Sequence, residues 1–120
     1  MRFKVLGKCW LLVWVANGAS FVARINKDGK ETRMGRTDDG LTEGPKNKNK
    51  RVFLRHGISS GKRRLEAAIH EFTHAADWPK DEEWVEEFGC DLTNFLYTLG
   101  VRWDNPPDVE PEEEPETLDG

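Results

Sequence analysis

Two histidines and a glutamate in the segment AAIHEFTHAADW, residues 67–78, have the spacing of a metal-dependent hydrolase. On a helix, residues four apart lie on the same face, so His70 and His74 would point toward one ion. Glu71 lies about 100° further round the helix, within reach of a water molecule beside that ion. The pattern is HExxH, in which two imidazoles hold zinc and the glutamate takes a proton from the attacking water. We therefore predict Zn²⁺ as the cofactor, His70 and His74 as ligands and Glu71 as the catalytic base.

A plain packing helix is the competing interpretation of the same segment. Ala67, Ala68, Ala75 and Ala76 suit a helix that packs closely, and its histidines would then be solvated or hydrogen-bonded in the core. With three histidines in 120 residues, however, a chance match is expected in fewer than about one such chain in a hundred. The spacing therefore favours the metal site, and the alanines would let a second helix approach the ion.

A zinc peptidase needs a third protein ligand and an open position for water. No histidine follows His74, whereas the segment after Trp78-Pro79 is rich in carboxylates. The proline ends the first helix, and the next helix turns back beside it. The candidates for the third ligand are Glu83, Glu86, Glu87 and Asp91.

Over residues 51–100 the chain resembles the glutamate-type zincins in their smallest form, similar to ImmA/IrrE-like and to phage or SprT-like small metallopeptidases. The resemblance rests on the strand RVFLR, the motif HEFTH and a following helix that bears the third ligand. It implies Glu87 as that ligand, with Glu86 as the fallback, because Asp91, Leu92 and Leu96 follow Glu87 at the family's spacing. It also implies a peptidase that cleaves a protein or peptide substrate.

The chain departs from that family in two respects. His74 and Glu87 are closer in sequence than in the large members, which implies a simplified substrate cleft. No oxyanion-stabilising residue can be assigned, because Tyr97 lies three turns beyond Glu87 and His56 precedes the motif helix. A zinc-containing binding or regulatory module without peptidase activity, associated with nucleic acid, is therefore the alternative function. Glu71 favours the enzyme, since a structural zinc site needs no base.

The elements around the motif predict an α+β domain over residues 1–103, with the motif helix and a second, antiparallel helix on a small antiparallel sheet. The predicted strands are residues 3–16 (straight, or a hairpin bent at Gly7), 20–26, which a turn at Asp28-Gly29 follows, and 51–55. Residues 35–50 are almost without apolar side chains and are predicted to be a mobile loop. The helices are predicted from about residue 61 to 77 and from Asp81 to Leu99, the second with an apolar stripe that comprises Val85, Phe88, Leu92, Phe95, Leu96 and Leu99.

The charge divides the chain into two parts. Of the 22 acidic residues, eight lie at or after Asp104, where there is no Lys or Arg. Residues 104–120 therefore form an acidic tail that we predict to be disordered, because it has almost nothing to bury. The remainder is mildly basic, with clusters at 46–51 and 61–64. We interpret these clusters as a solvated surface, and nucleic acid or an acidic partner is the alternative.

The remaining features concern the compartment. Cys9 and Cys90 are isolated and read as reduced thiols of a cytoplasmic protein. A signal peptide over residues 1–19 is the alternative, because an apolar run follows early positive charges. No stretch approaches the roughly 18 apolar residues that a membrane span needs. We expect a cytoplasmic monomer without membrane contact.

Overall fold

The computed structural model describes residues 1–24, 30–48, 50–105 and 107–112, and their architecture is α+β. The strands within this part of the chain are β1 Arg2–Val5, β2 Lys8–Val15, β3 Phe21–Arg24, β4 Glu31–Met34, β5 Gly40–Thr42 and β6 Arg51–Arg55. Two helices follow, α1 Gly61–Ala76 and α2 Glu82–Thr98. The coarse fold class predicted from the sequence is confirmed.

Strands β1 and β2 form the hairpin that the sequence offered as one of two interpretations of residues 3–16. Leu6 and Gly7 both have positive φ angles, 49° and 80°, as in the tight turns that match the twist of two antiparallel strands. A second hairpin pairs β3 with β4, Phe21 opposite Met34. The predicted turn at Asp28-Gly29, which would join them, lies outside the described residues.

The larger sheet has the strand order β1-β2-β6-β5 and is mixed. The prediction of an antiparallel sheet is wrong for its centre, where β2 and β6 run parallel with Val13 opposite Phe53. Parallel neighbours need a long crossover, and here the chain forms the second hairpin and β5 before it returns. Local sequence patterns cannot indicate the direction in which a strand so distant in the chain enters the sheet.

Both faces of this sheet are covered, which explains why β2 and β6 are almost continuously apolar. Trp10, Trp14 and Leu54 point to the face on which α1 lies. Val13 and Phe53 point to the opposite face and pack against the second hairpin. The period of two along each strand thus divides the core into two layers.

Strand β5 lies within the segment that was predicted to be a mobile loop, so that prediction is wrong for residues 40–42. Leu41 packs against the core, and polar contacts hold both ends of this edge strand. Glu43 is buried and bonds to Arg51 at 2.7 Å. The buried Arg55 donates to the carbonyls of Gly35 and Asp38 just before the strand.

Helix α1 lies on the sheet and carries α2 on its outer side. The Ser60 side chain caps α1 by accepting from the Arg63 amide, and the helix ends before Trp78-Pro79, as predicted. Asp81 caps α2, whose buried positions are Val85, Gly89 and Thr93. In the described residues no helix is long and apolar enough to cross a membrane.

The apolar stripe predicted for α2 is only partly buried. Val85 is fully buried, but Phe88, Phe95 and Leu99 are exposed. The two helices cross at Gly89, where a Cβ would lie 3.9 Å from the His70 backbone. The small residues at the crossing therefore form the contact, and several large ones remain at the surface.

Glu112 of the acidic tail pairs with β2, contrary to the prediction of disorder from residue 104. The Glu112 amide donates to the Trp14 carbonyl at 2.6 Å, and its carbonyl accepts from the Ala16 amide at 2.9 Å. The N-terminal segment bonds to β2 only as far as Leu12. The backbone groups of β2 beyond this residue can therefore pair with another segment. Backbone bonding rather than side-chain burial attaches the tail. Residues 113–120 lie outside the described residues.

Candidate metal centre

Helix α1 places the two motif histidines side by side. Their Nε2 atoms are 3.2 Å apart, as expected for residues that are one helical turn apart. Glu82, in the first turn of α2, joins them: one carboxylate oxygen lies 2.8 Å from His70 Nε2 and the other lies 2.8 Å from His74 Nε2. The structure thus brings two imidazoles and one carboxylate together.

These three side chains fit a zinc ion in both chemistry and size. Two histidines and a glutamate are the ligands of many catalytic zinc sites. Ligands at about 2.0–2.1 Å in tetrahedral geometry are roughly 3.3 Å from each other. The candidate ligand atoms all lie within 4.8 Å of one another, so small side-chain adjustments would suffice to bind an ion.

The protonation state of His74 also suits metal binding. Burial lowers the pKa of His74 below its usual value, although the nearby Glu82 carboxylate opposes this shift. A lowered pKa favours the neutral imidazole, which is the form that coordinates a metal.

The third member of this group is Glu82 and not Glu87, the ligand predicted from the sequence. Measured from the buried Val85, and at about 100° per residue, Glu82 lies roughly 60° round α2 and Glu87 roughly 200°. Glu82 therefore shares the side of Gly89, which faces α1, whereas Glu87 is exposed on the far side. The fallback Glu86 lines a neighbouring cavity, and Glu83 and Asp91 are exposed outside the group.

Glu71 stands beside the three candidate ligands without belonging to their group. Its side chain is buried, and the hydroxyl of Thr42 on β5 donates to its Oε1 at 2.9 Å. The pKa of Glu71 is raised to about 7, mainly by burial; the electrostatic interaction with His70 and the Thr42 hydrogen bond lower it, and the interactions with Glu82 and Asp38 raise it. A carboxyl group with a pKa near neutrality can both accept and return a proton.

The edge strand approaches Glu71 closely because residue 40 has no side chain. A Cβ on Gly40 would lie 2.8 Å from Glu71 Cγ and 3.0 Å from its Oε2. Thr42 is buried on the same side of the strand. Gly40 and Thr42 thus both lie against the Glu71 carboxylate, on the side of β5.

Two cavities open on either side of the three candidate ligands. Both are lined by Gly40, His70, Glu71 and Glu82. One, of about 430 Å³, extends to Trp78 and Lys80. The other, of about 330 Å³, is bordered mostly by acidic side chains, Asp38, Asp39, Glu66 and Glu86, together with Arg63. The candidate centre therefore lies at the middle of an open cleft that runs along the edge strand.

The two residues considered for an oxyanion role lie elsewhere. His56 Nε2 contacts the Pro107 carbonyl at 3.1 Å, and Tyr97 stacks against Arg102. Trp78 lines one of the two cavities, whereas Trp84 lines a separate groove.

Sequence reasoning missed two residues of the site, Glu82 and Thr42. Glu82 is one of three consecutive acidic residues, Asp81 to Glu83, at the start of the second helix, where acidic residues are common because they interact favourably with the helix dipole. Its position, two turns before Gly89, was a usable signal, because a glycine inside a helix often marks a close approach. No sequence pattern indicated that Thr42 belongs to the site, because it lies in a polar segment without periodicity.

Several basic residues of the predicted basic surface bind within the protein. Arg63 pairs with Asp39 at 2.6 Å and Arg51 pairs with Glu43. Arg64 is buried and donates to the Trp103 and Asn105 carbonyls. These contacts give the arginines structural roles. Cys9 and Cys90 are both free and exposed.

Comparison of the chain with protein-family models, with curated proteins and with solved structures finds no match in any of the three.

Proposed function

We propose that this protein is a zinc-dependent peptidase in which His70, His74 and Glu82 hold the ion and Glu71 is the general base. One observation carries the proposal: a buried carboxyl group lies beside a group of three candidate ligands and is held by the neighbouring edge strand. A site that used zinc only for structure would need no buried base next to it.

Each side chain has a distinct role in the proposed reaction. A zinc ion, when bound, would polarise the substrate carbonyl and lower the pKa of a nearby water molecule. Glu71 accepts the proton of the attacking water and returns it to the nitrogen of the departing amine. Thr42 holds the carboxylate in position, because its hydroxyl donates to Glu71 Oε1.

The edge strand offers a way to bind an extended peptide across the cleft. The Arg55 amide donates to the Asp39 carbonyl and the Glu43 amide to the Arg51 carbonyl, so these residues occupy hydrogen-bonded positions of the ladder. The alternation of an antiparallel pair then directs the backbone groups of Gly40 and Thr42 away from β6. A substrate strand that paired with this edge of the sheet would pass next to the three candidate ligands.

The comparison of wild type with Glu71→Gln tests the proposal. The variant keeps the shape of the side chain and lacks the base, so zinc content and fold should persist while cleavage of a casein-type substrate falls by about 10²–10⁴-fold. Zinc is measured by mass spectrometry of the purified protein. Equal inactivity of both proteins on unfolded proteins and peptides, with zinc bound, would support the binding-module alternative instead.

A further inference from the structure

An apolar groove runs between α1 and α2 on the side of α1 that faces away from the metal centre. Phe72 is two residues from His70 and from His74, which at about 100° per residue places it on the opposite side of the helix. The groove has a volume of about 600 Å³. Its apolar walls are Ile69, Phe72 and Ala76 of α1 and Trp84, Phe88 and Leu92 of α2. It is therefore separate from the candidate active site.

Large aromatic side chains are exposed along this groove. Phe72 is 47% exposed, Trp84 42% and Phe88 41%. The Trp84 and Phe88 rings stack with centroids 4.9 Å apart. Phe95 and Leu99 are also exposed, and their positions seven and eleven residues after Phe88 place them on the same side of α2. A contiguous apolar surface of this kind marks a site of interaction.

Most of the charged residues beside the groove are acidic, although Lys80 Nζ lies 4.3 Å from the centroid of the Trp84 ring. Helix α2 contains five acidic residues and no Lys or Arg, and two of the five, Glu82 and Glu86, line the cleft on the other side of the helix. Glu87 immediately precedes Phe88 and Asp91 follows it by three positions, so both flank the aromatic stripe on the helix surface. Asp77, at the end of α1, lines the groove itself.

We infer that this groove is a docking site for an amphipathic helix of a partner protein, one with apolar residues at every third or fourth position and Lys or Arg beside them. A helix in a groove buries such a stripe efficiently, and the basic flanks would meet Glu87, Asp91 and Asp77. This inference does not depend on the peptidase proposal.

The same charges disfavour the other occupants. A second copy docked through the same face would bring the acidic α2 helices together, and like charges at an interface are costly. An anionic membrane surface would also be repelled. Residues 113–120 of this chain include four acidic and no basic residues, so they too lack complementary charge.

Fluorescence anisotropy with designed peptides tests the docking site. The probe is a labelled Leu/Lys amphipathic helix of about 18 residues, roughly 27 Å long, which matches the 17-residue α2. A Leu/Glu peptide with the same leucine positions and a scrambled Leu/Lys peptide are the controls. The full-length protein is used, and mass spectrometry of the recovered peptide verifies that it is intact.

Binding of the Leu/Lys helix should weaken by roughly tenfold or more, about 1.4 kcal/mol or more, in Phe88→Gln and in the double variant Glu87→Lys/Asp91→Lys. The controls are Leu6→Asn, which changes an exposed leucine outside the groove, and Glu31→Lys, which makes one such charge reversal on β4, half of the charge change in the double variant. Both should bind as wild type does. Affinity should also decrease when salt rises from about 0.05 to about 0.5 M.

Four results would each overturn the inference: absence of Leu/Lys binding, equal binding of the Leu/Glu or the scrambled peptide, binding unchanged by Phe88→Gln, or binding lost equally in the controls. Sedimentation is the complementary measurement. A dimer that dissociates in Phe88→Gln would identify a second copy as the occupant, and Phe88-dependent co-sedimentation with anionic lipid vesicles would identify a membrane. The protein should instead sediment as a monomer and remain apart from the vesicles.

Discussion

The hydroxyl of Thr42 donates a hydrogen bond to the carboxylate of Glu71 over 2.9 Å, and the backbone carbonyl of Glu71 is also within hydrogen-bonding distance of the hydroxyl, at 3.0 Å. This contact joins the edge strand β5 to the motif helix α1 at the group that we propose to accept the proton. The position of the base is therefore linked to the strand along which a substrate would bind.

We expect Thr42→Val to lower kcat by roughly 10–100-fold with zinc content unchanged, because a hydrogen bond to a charged group contributes about 1.5–3 kcal/mol. Valine has nearly the shape of threonine but leaves Glu71 Oε1 without its donor. Thr42→Ser, which keeps the hydroxyl, is the matched control and should retain most of the activity. Equal losses in both variants, measured by peptide cleavage, would assign to Thr42 a role in packing only.

The identity of the third ligand can be decided with two carboxylates of the same helix. Glu82→Gln should weaken zinc binding by roughly tenfold or more, because even residues that only support a ligand affect affinity by about 10–100-fold. Glu87→Gln, an exposed site outside the group, should bind zinc as wild type does. Competition with a chromophoric chelator measures both affinities. The opposite ranking would restore Glu87 as the ligand and mean that α2 is rotated about its axis.

Two glycine-to-alanine substitutions should have opposite effects on stability. At Gly40 the new Cβ would be within 3.0 Å of Glu71 and of the Phe53 carbonyl, so unfolding free energy should fall by about 1–3 kcal/mol, and activity should fall with it. At Gly89 the nearest atoms are 3.9 Å away, and alanine in a helix interior should add about 0.5–1 kcal/mol. Chemical denaturation measures both changes. A stable, active Gly40→Ala would show that β5 lies further from the helix.

The stability of the metal-free protein should depend on pH through Glu71. Its pKa is raised from 4.5 to about 7 in the folded state, so the folded protein holds this proton more tightly than the unfolded chain. Below about pH 4.5 the carboxyl group is protonated in both the folded and the unfolded state. As pH rises from there through about 7, the unfolded chain loses this proton first, so the stabilisation of the folded state by protonated Glu71 is lost. One pKa unit corresponds to about 1.4 kcal/mol, so the loss approaches about 3 kcal/mol.

Glu71→Gln removes this dependence, so the chelated variant should be more stable than chelated wild type at pH 8, and the difference should shrink toward pH 4.5. Contributions that the two proteins share, such as the lowered pKa of His74, cancel in the comparison. Thermal melts across this pH range measure the difference in Tm. A difference that is constant with pH would mean that the carboxyl group is solvated in the folded protein.

The sequence by itself determined the local features of this protein. The helix limits near Ser60 and Trp78-Pro79 follow from capping and from the restriction before proline. The pairing of His70 with His74 follows from helical geometry, because it spans a single turn. The α+β class follows from the alternation of strand-like and helical segments. All of these depend on residues that are close in the chain.

Only the tertiary structure decided which residues complete the site. The choice between Glu82 and Glu87 depends on the rotation of α2 about its axis, and Gly89 determines that rotation by allowing close contact with the His70 backbone. The inclusion of Thr42 depends on a polar segment that joins the sheet through Arg55 and Arg51. The parallel entry of β6 and the attachment of Glu112 to β2 likewise involve backbone bonds between distant segments, which no local pattern encodes.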